Sequence, residues 1–344
     1  MPVIKNTLTL KDLPLPVQQK SGWLSDEKSQ NQSEQALDQS FHPRITIITP
    51  SYNQGQFIEE TIRSVLLQGY PNLEFIIIDG GSTDNTIEII KKYEKYLAYW
   101  VSESDRGQTH AINKGLALST GEIWSYLNSD DLLCPGALHK VAEAFKNQDI
   151  AWVGAVSSII DGNGIVDYIK PQIPPNKKDY LFSWTREIQY VFPCSNVSFM
   201  RKEILDKCGL FDETLHFCMD IEYYVRAVMQ GNYLPYFIPD VLGQWRWHDK
   251  SKTLNAAGAY GFFEDEILIA TKYLPYLEPL ERREMQKHLL YHRKFLSPRK
   301  AVYFLQQGDK KKALHELIMG IIRNPSLLLF RPWVGAIKRL LINI

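Results

Sequence analysis

The sequence predicts an α/β fold with a mainly parallel sheet, followed by helices in the C-terminal part. Three observations indicate this class. A chain of 344 residues with 44% apolar and 23% charged side chains is typical of one large or two ordinary globular domains. Apolar runs alternate with segments of helical spacing from residue 44 to residue 127. Residues 256–344 again show the apolar spacing of helices. They lie outside the part of the chain that contains the strand-end motifs described below.

The elements follow one another from residue 44 onward. Four short apolar runs predict strands: Ile45–Thr49, Phe75–Ile78, Leu97–Val101 and Ile123–Leu127. Three segments with helical spacing lie between them: Phe57–Gln68, a helix that begins near Asp84, and Gln108–Ala117. Continuous apolar strands that alternate with helices indicate a parallel sheet covered on both faces. Because ligands of such sheets bind beyond the carboxyl ends of the strands, we expect the functional site there.

Charge and cysteine content narrow the classes of protein. Lys plus Arg and Asp plus Glu both number 39, so no overall charge favours nucleic acid. From Glu281 onward, however, fourteen Lys or Arg face four Asp or Glu. Four scattered cysteines without a Cys-x-x-Cys pair argue against a thiolate metal site and indicate a reducing compartment. With no secretory pattern and no apolar run of about 20 residues, we expect a cytoplasmic protein without an ordinary transmembrane helix.

Polar segments follow all four predicted strands. They are Thr49-Pro50-Ser51-Tyr52-Asn53, Asp79-Gly80-Gly81-Ser82-Thr83-Asp84, Ser104-Asp105-Arg106-Gly107-Gln108 and Asn128-Ser129-Asp130-Asp131. No Gly-x-Gly-x-x-Gly pattern or P-loop follows the first strand, so the usual dinucleotide and P-loop sites lose their main support. Asp130 and Asp131 offer hard oxygens that suit Mg²⁺ or Mn²⁺ bound together with substrate phosphates. The alternative is that this pair only caps the next helix.

The order of these segments resembles the family 2 glycosyltransferases of GT-A fold, over roughly residues 44–255. The resemblance rests on Ile45–Asn53, on the helical pattern from Phe57 to Gln68, on Ile78–Thr86 and on Asn128–Asp131. It implies transfer of a sugar from a nucleotide-diphosphate donor, usually a UDP-sugar, with inversion and with help from Mn²⁺ or Mg²⁺. Family analogy further implies polysaccharide or cell-envelope glycan assembly, with a glycan or a lipid-linked acceptor. Residues 1–43 are then a polar arm, and 256–344 a basic helical extension.

The same resemblance assigns residues to the donor. They are Pro50, Ser51, Tyr52, Asp79, Ser82, Arg106, Gln108, Ser129 and Asp130. Asp79 is expected to accept hydrogen bonds from the nucleobase of the donor. Arg106 and Gln108, which enter a helix, suit the donor phosphates or sugar, and the alternative for Arg106 is a solvated loop charge. Many relatives read Asp-Asp-Gly-Ser where this chain has Asp79-Gly80-Gly81-Ser82, so any role of the second acid is absent.

The resemblance also assigns a metal ligand and the general base of the reaction. Asp131 matches the family's metal-binding acid. An acceptor hydroxyl is a poor nucleophile, so a carboxylate within hydrogen-bond reach must take its proton. The segment Phe217–Arg226 resembles a family block that contains two adjacent acids. Met219 replaces the first acid and Asp220 retains the second, so we expect Asp220 to be the general base. Glu222 is the reserve candidate, and the alternative for Asp220 is a helix cap.

The segment Gln244–Thr253 resembles the family element that closes the donor site. His248 is expected to complete the metal shell or to touch the diphosphate, and Arg246 or Lys252 to neutralise charge on the leaving group. The alternative for His248 is a hydrogen-bonded core histidine.

Two other functions and two roles of the C-terminal part stay open. A nucleotidyltransferase would need a Gly- or Lys-rich phosphate loop, which Pro50–Asn53 is not. A non-catalytic sugar-nucleotide or glycan-binding module would need no base, and Asp220 argues against it. The basic extension, with helical spacing from Leu314 to Ile322, either packs as a helical lid or lies on an anionic membrane surface.

Overall fold

The computed structural model describes residues 11–16, 41–161, 164–170, 192–248, 251–252, 258–329 and 331–342. These residues form two compact units. The first unit takes in the described parts of 11–170, together with 192–213 and 223–247. The second takes in 214–222 and the described residues from 248 onward. The domain boundaries at residues 43/44 and 255/256 stay predictions, since compact units need not coincide with domains.

In the part of the chain that is described, the first unit has nine strands in one sheet. They are β1 (Ile45–Ser51), β2 (Leu73–Asp79), β3 (Tyr99–Ser102), β4 (Ile123–Tyr126), β5 (Leu132–Leu133), β6 (Trp152–Asp161), β7 (Gly164–Ile169), β8 (Phe199–Arg201) and β9 (Tyr236–Arg246). Their order is β3-β2-β1-β4-β8-β6-β9-β5, with β7 paired to β6.

The first four strands are mutually parallel, as the sequence predicts. Helices follow β1, β2 and β3 in turn, and two more come later in this unit. These helices are α1 (Ile58–Leu66), α2 (Thr86–Tyr93), α3 (Gln108–Leu118), α4 (Ala137–Ala144) and α5 (Lys202–Cys208). Beyond β4 the sheet is mixed, because β8 runs antiparallel to β4 and β6 while β9 runs parallel to β6.

Burial explains why the early strands read as unbroken apolar runs. Every residue of β1 and β2 is buried, which favours apolar side chains on both faces of these strands. The register then places Ser51 beside Asp79, and Asp79 beside Ser102. Polar residues that are far apart in the sequence therefore meet along one edge of the sheet.

A short part of the predicted N-terminal arm packs on this first unit. Leu13 is buried in the same apolar cluster as Ile62 and Ile90. The guanidinium of Arg63 donates to the Pro14 carbonyl at 2.9 Å, and the Lys92 ammonium donates to the carbonyl of Leu15. Residues 11–16 are thus a fixed strap on α1 and α2.

The second unit is helical in the part that is described. It contains the start of α6 (Met219–Arg226), followed by α7 (Gly258–Tyr273), α8 (Pro279–Gln306), α9 (Lys310–Arg323) and α10 (Arg331–Ile342). Its apolar cluster includes Ala301, Leu317 and Trp333. A Cβ on Gly320 would lie 2.1 Å from the Trp333 ring, so glycine permits this close approach. None of the described helices combines the length and the hydropathy that a membrane crossing requires.

Candidate functional site

Asp79 organises the loop that follows β2. Its carboxylate is fully buried and accepts the Gly81 and Ser82 N–H groups at 3.1 and 2.9 Å. The hydroxyls of Ser82 and Ser102 donate to the same carboxylate at 2.5 and 2.6 Å. Contacts of Asp79 and Ser82 with the nucleotide donor stay predictions. In the structure, the Asp79 carboxylate holds the shape of the surrounding loop.

The loop after β1 is tied to the loop after β2. Asn53 has a left-handed backbone with φ of 53°, which asparagine tolerates better than most residues. Its N–H donates to the Ser82 hydroxyl at 2.7 Å, and its side-chain carbonyl accepts the Thr83 N–H at 2.8 Å. These two bonds hold the segment that contains Pro50, Ser51 and Tyr52 against the Asp79 loop.

Tyr52 and Ser51 of that segment differ in solvent exposure. The Tyr52 side chain is 60% exposed. Ser51 is buried, and its hydroxyl has no hydrogen-bond partner among the described residues. A buried hydroxyl without a partner is costly in a folded protein and calls for an explanation. A ligand at this edge is one such explanation.

Gly80 stands where many relatives carry a second acid. A Cβ at Gly80 would lie 2.8 Å from the Asp105 Oδ2 atom, so the Asp105 side chain fills the adjacent space. The other carboxyl oxygen of Asp105 accepts the Gly107 N–H at 2.7 Å. An acid is therefore present near this position, but it comes from the loop after β3.

Asp131 is nearly as enclosed as Asp79. It is 1% exposed and accepts the Arg246 N–H at 3.0 Å and the Asn128 amide at 3.3 Å. Burial raises its pKa well above the usual range, and the neighbouring Asp130 raises it further. Gln108 donates to Asn128 at 2.7 Å and so joins this network from α3.

Arg246 clamps the Asp130–Asp131 turn. Its Nε donates to the Asp130 carbonyl at 2.9 Å, and its Nη2 reaches Glu60 at 2.6 Å. The guanidinium also lies 5.1 Å from the centroid of the Phe57 ring. Neutralisation of the leaving group by Arg246 stays a prediction. In the structure, the Arg246 guanidinium forms an ion pair with the Glu60 carboxylate.

The residues after β4 provide some of the ligands that a divalent cation requires. Asp130, Asp131 and Ser129 supply hard oxygens, and Mg²⁺ is commonly held by one or two carboxylates plus substrate phosphates. Asp130 is only partly buried, whereas Asp131 is enclosed and Ser129 is 4% exposed. Within the described ranges, no cluster of three or more His, Cys, Asp or Glu could hold a metal by itself. The fit is therefore to a metal that shares its ligands with a diphosphate.

Arg106 forms an ion pair rather than standing alone in its loop. Its guanidinium donates to Glu213 at 2.6 and 3.2 Å, although the Arg106 side chain is 70% exposed. Asn113 of α3 donates to the other Glu213 oxygen at 3.1 Å. The predicted contact of Arg106 with the donor remains a prediction, and it would require competition with Glu213.

In the second unit, Asp220 is the second residue of α6. It is partly buried, and its Oδ1 accepts the Ile221 N–H at 2.9 Å. Burial raises the pKa of its carboxyl, which brings a carboxylate closer to the pKa that a general base needs near neutral pH. Lys252 opposes this shift electrostatically.

Asp265 of α7 fixes the chain just before Asp220. Its Oδ2 accepts the N–H groups of Phe217 and Cys218, at 2.8 and 3.1 Å. No local pattern signals this residue, because its partners lie more than forty positions earlier. Glu60 and Glu213 were not predicted for the same reason.

Glu222 has a structural position. It is fully buried and accepts hydrogen bonds from the Lys272 ammonium and the Tyr273 hydroxyl, both at 2.7 Å. A carboxylate that is enclosed and paired in this way is poorly placed to take a proton from an acceptor. The role of Asp220 as the general base stays a prediction.

His248 is hydrogen-bonded to Ser251 in the second unit. The Ser251 N–H donates to the His248 carbonyl at 2.8 Å, and the His248 N–H donates to the Ser251 hydroxyl at 3.2 Å. The metal role of the His248 imidazole stays a prediction.

Comparison with known proteins identifies the larger part of the first unit. Residues 46–209 match the sequence model of Glycosyl transferase family 2. This part of the chain is therefore similar to family 2 glycosyl transferases. The predicted resemblance and enzyme class are thus confirmed for this part of the chain.

Curated relatives of this part of the chain agree with this similarity. An uncharacterized glycosyltransferase of Nostoc sp. is 31% identical over 170 residues, which cover 48% of this chain and 52% of the relative. A Bacillus subtilis glycosyltransferase named for teichuronic acid biosynthesis is 36% identical over 118 residues, covering 33% of this chain and 46% of the relative. The match thus spans about half the length of these two relatives.

Solved structures confirm the predicted GT-A fold. S. aureus TarS 1–349, in complex with UDP-GlcNAc, has a TM-score of 0.58 at 19% identity, covering 76% of this chain and 80% of that one. A mannosyltransferase from Pyrobaculum calidifontis, in complex with GDP-Man and Mn²⁺, has a TM-score of 0.53 at 20% identity, covering 93% and 89%. At such identities the likeness concerns the fold.

Proposed function

We propose that this protein is an inverting glycosyltransferase whose donor is a nucleotide-diphosphate sugar, with a UDP-sugar as the first choice. The observation that carries the proposal is the sheet edge where Ser51, Asp79 and Ser102 lie side by side in register. This edge lies in the part of the chain that is similar to family 2 glycosyl transferases, and it includes a buried Ser51 hydroxyl that has no partner among the described residues.

The donor residues form a connected loop system. Asn53 and Ser82 join the loops after β1 and β2, and Gln108 connects to Asn128 after β4. A preorganised edge of this kind holds a ligand without a large ordering cost. The neighbour structures that contain UDP-GlcNAc and GDP-Man support a nucleotide sugar as that ligand. The UDP preference rests on the first of these and on the resemblance.

We propose that Asp130 holds the metal beside Asp131, whose predicted metal role is kept. The carboxylate of Asp131 is enclosed and accepts the Arg246 N–H, whereas Asp130 retains exposed surface. A bound Mn²⁺ or Mg²⁺ would supply positive charge that stabilises the departing diphosphate. The Mn²⁺ in the mannosyltransferase neighbour supports this choice of cofactor. Asp131 also holds the turn in which Asp130 stands.

Asp220 is the proposed general base. It takes the proton of the acceptor hydroxyl as the new C–O bond forms on the face of the sugar opposite the leaving group, which inverts the anomeric centre. The raised pKa of Asp220 suits this task. The proposed acceptor is a hydroxyl of a glycan or of a lipid-linked glycan. Polysaccharide synthesis is supported by the relative named for teichuronic acid biosynthesis. The cytoplasmic face of the membrane is the location that we propose for it.

Calorimetric titration tests the donor site. UDP, GDP and dTDP are titrated with and without Mn²⁺ into the wild type, Asp130→Ala and the control Asp149→Ala, whose carboxylate is exposed outside the strand-end loops. We expect Mn²⁺-dependent UDP binding that Asp130→Ala loses and Asp149→Ala keeps. Binding of no nucleotide under any condition would contradict the proposal.

Product analysis separates this function from its alternatives. A glycosyltransferase releases a nucleoside diphosphate from a nucleotide sugar, whereas a nucleotidyltransferase releases pyrophosphate from a nucleoside triphosphate. Wild-type protein is therefore incubated with UDP-sugars and, separately, with UTP and a sugar phosphate. UDP release supports the proposal. Pyrophosphate release, or nucleotide binding without any turnover, would favour the nucleotidyltransferase or the binding module instead.

A further inference from the structure

Helix α9 (Lys310–Arg323) has two apolar faces, and only one of them belongs to the core of the second unit. Ala313 and Leu317 are buried, and Gly320 lies against Trp333. On another side of the helix, Leu314, Ile318 and Ile322 remain 47%, 46% and 65% exposed. The spacing of these three residues is i, i+4, i+8, so they form one continuous stripe along three turns.

We propose that this stripe, Leu314-Ile318-Ile322, docks on an anionic lipid bilayer. Helical packing and a membrane contact are compatible here, because one face of α9 packs in the second unit while the stripe stays exposed. A helix that presents aliphatic residues beside cations is the form that lies in a membrane interface.

The charge around the stripe selects the occupant. The cations Lys310, Lys311, Lys312 and Arg323 are all exposed at the two ends of α9, whereas Glu316 is the acid within the helix. Lys312 pairs with Asp309 at 3.0 Å, which leaves Lys311 and Arg323 on either end of the stripe. Anionic headgroups attract cations that lie near the membrane surface.

A second copy of the chain fits this surface less well. A twofold contact would bring identical patches together, so the cations of one α9 would face the cations of the other. From Glu281 onward the sequence has fourteen Lys or Arg against four Asp or Glu, so the surroundings offer few acids to compensate. A bilayer with negative headgroups meets both the apolar stripe and its charge.

Vesicle flotation of the full-length protein tests the proposal without relying on catalysis. The vesicles contain phosphatidylcholine alone or phosphatidylcholine with phosphatidylglycerol. We expect the wild type to float with the anionic vesicles, and the variant Leu314→Ser/Ile318→Ser/Ile322→Ser to show a partition coefficient lower by about tenfold or more. Lys311→Gln/Arg323→Gln should weaken binding to anionic vesicles and reduce its dependence on salt.

A matched control removes three aliphatic side chains of similar exposure from the first unit. Ile165, Val166 and Leu234 are 54%, 50% and 51% exposed, and their triple change to serine should leave flotation unchanged. Thermal unfolding verifies that each variant is folded, and Ile322→Ser alone serves if the triple variant is not. The proposal is overturned if the wild type does not float, if the stripe variant floats equally well, or if the control loses as much. Stripe-dependent dimers without flotation would assign the surface to a second copy.

Discussion

The carboxylates of Asp131 and Asp220 differ in what surrounds them, although burial raises the pKa of both. Asp131 accepts the Arg246 N–H and the Asn128 amide, so the protein itself uses its oxygens. Asp220 accepts the N–H of the next residue, Ile221, and its surroundings are fixed from outside by Asp265. The comparison teaches that Asp131 supports its own surroundings, whereas the chain before Asp220 is held by a different acid.

The same contrast separates Asp220 from Glu222 within one helix. Glu222 is enclosed by Lys272 and Tyr273, so its hydrogen bonds stabilise α6 against α7. In our interpretation, Asp131 and Glu222 hold the two site segments, whereas Asp130 and Asp220 act on the substrates. Three predictions test this division of tasks.

The largest expected effect is on turnover. Asp220→Asn removes the proton acceptor while retaining the shape of the side chain, so kcat should fall by about 10²- to 10⁴-fold. UDP affinity and thermal stability should stay close to those of the wild type. Steady-state kinetics with a UDP-sugar donor and calorimetry measure both.

Glu222→Gln is the matched control for that variant. Because it weakens a buried network, it should lower the free energy of unfolding by about 1–2 kcal/mol, with a smaller effect on kcat than Asp220→Asn. If Glu222→Gln abolished turnover in a fully folded protein while Asp220→Asn remained active, the two roles would be reversed.

The second prediction concerns the acids after β4 and is of intermediate size. Asp131→Ala leaves the buried Arg246 N–H without its acceptor, so the free energy of unfolding should fall by about 1–3 kcal/mol. Asp130→Ala should alter stability by less than about 0.5 kcal/mol, yet lose the Mn²⁺-dependent part of UDP affinity. Chemical denaturation and calorimetry on both variants provide the comparison. Equal stability of the two variants would contradict the supporting role of Asp131.

The smallest effect is a shift in a pH profile. Asp220 must be deprotonated to accept a proton, and burial raises its pKa, so kcat/KM should fall on the acid side with a midpoint above the ordinary aspartate value of about 4. Lys252 lowers that pKa. Lys252→Gln should therefore move the midpoint to higher pH, so that activity is lost earlier on acidification.

The exposed Lys287 provides the control for this measurement, since Lys287→Gln removes one charge from α8 in the same unit. Its profile should coincide with that of the wild type. An acid limb that did not move in Lys252→Gln would show that Asp220 is not the titrating group.

Much of the first unit could be predicted from local patterns. The strand predicted over Ile45–Thr49 extends in the structure from Ile45 to Ser51, and the helix predicted over Gln108–Ala117 ends at Leu118. Buried parallel strands leave an unbroken apolar run, and helices leave a repeating one, so both signals are contained within a few residues. The strands after β4 pair in both directions over long separations, which no local run reveals.

The amino-acid sequence by itself determined the alternation of strands and helices, the polar segments at the strand ends and the basic, apolar spacing of α9. Each depends on neighbours within about one or two turns. Only the tertiary structure decided which distant groups the acids meet. Asp131 meets Arg246 across 115 positions, and Cys218 meets Asp265 across 47. Hydrogen bonds between such distant residues depend on how the elements pack, and packing also decided that α9 buries Leu317 and exposes Ile318.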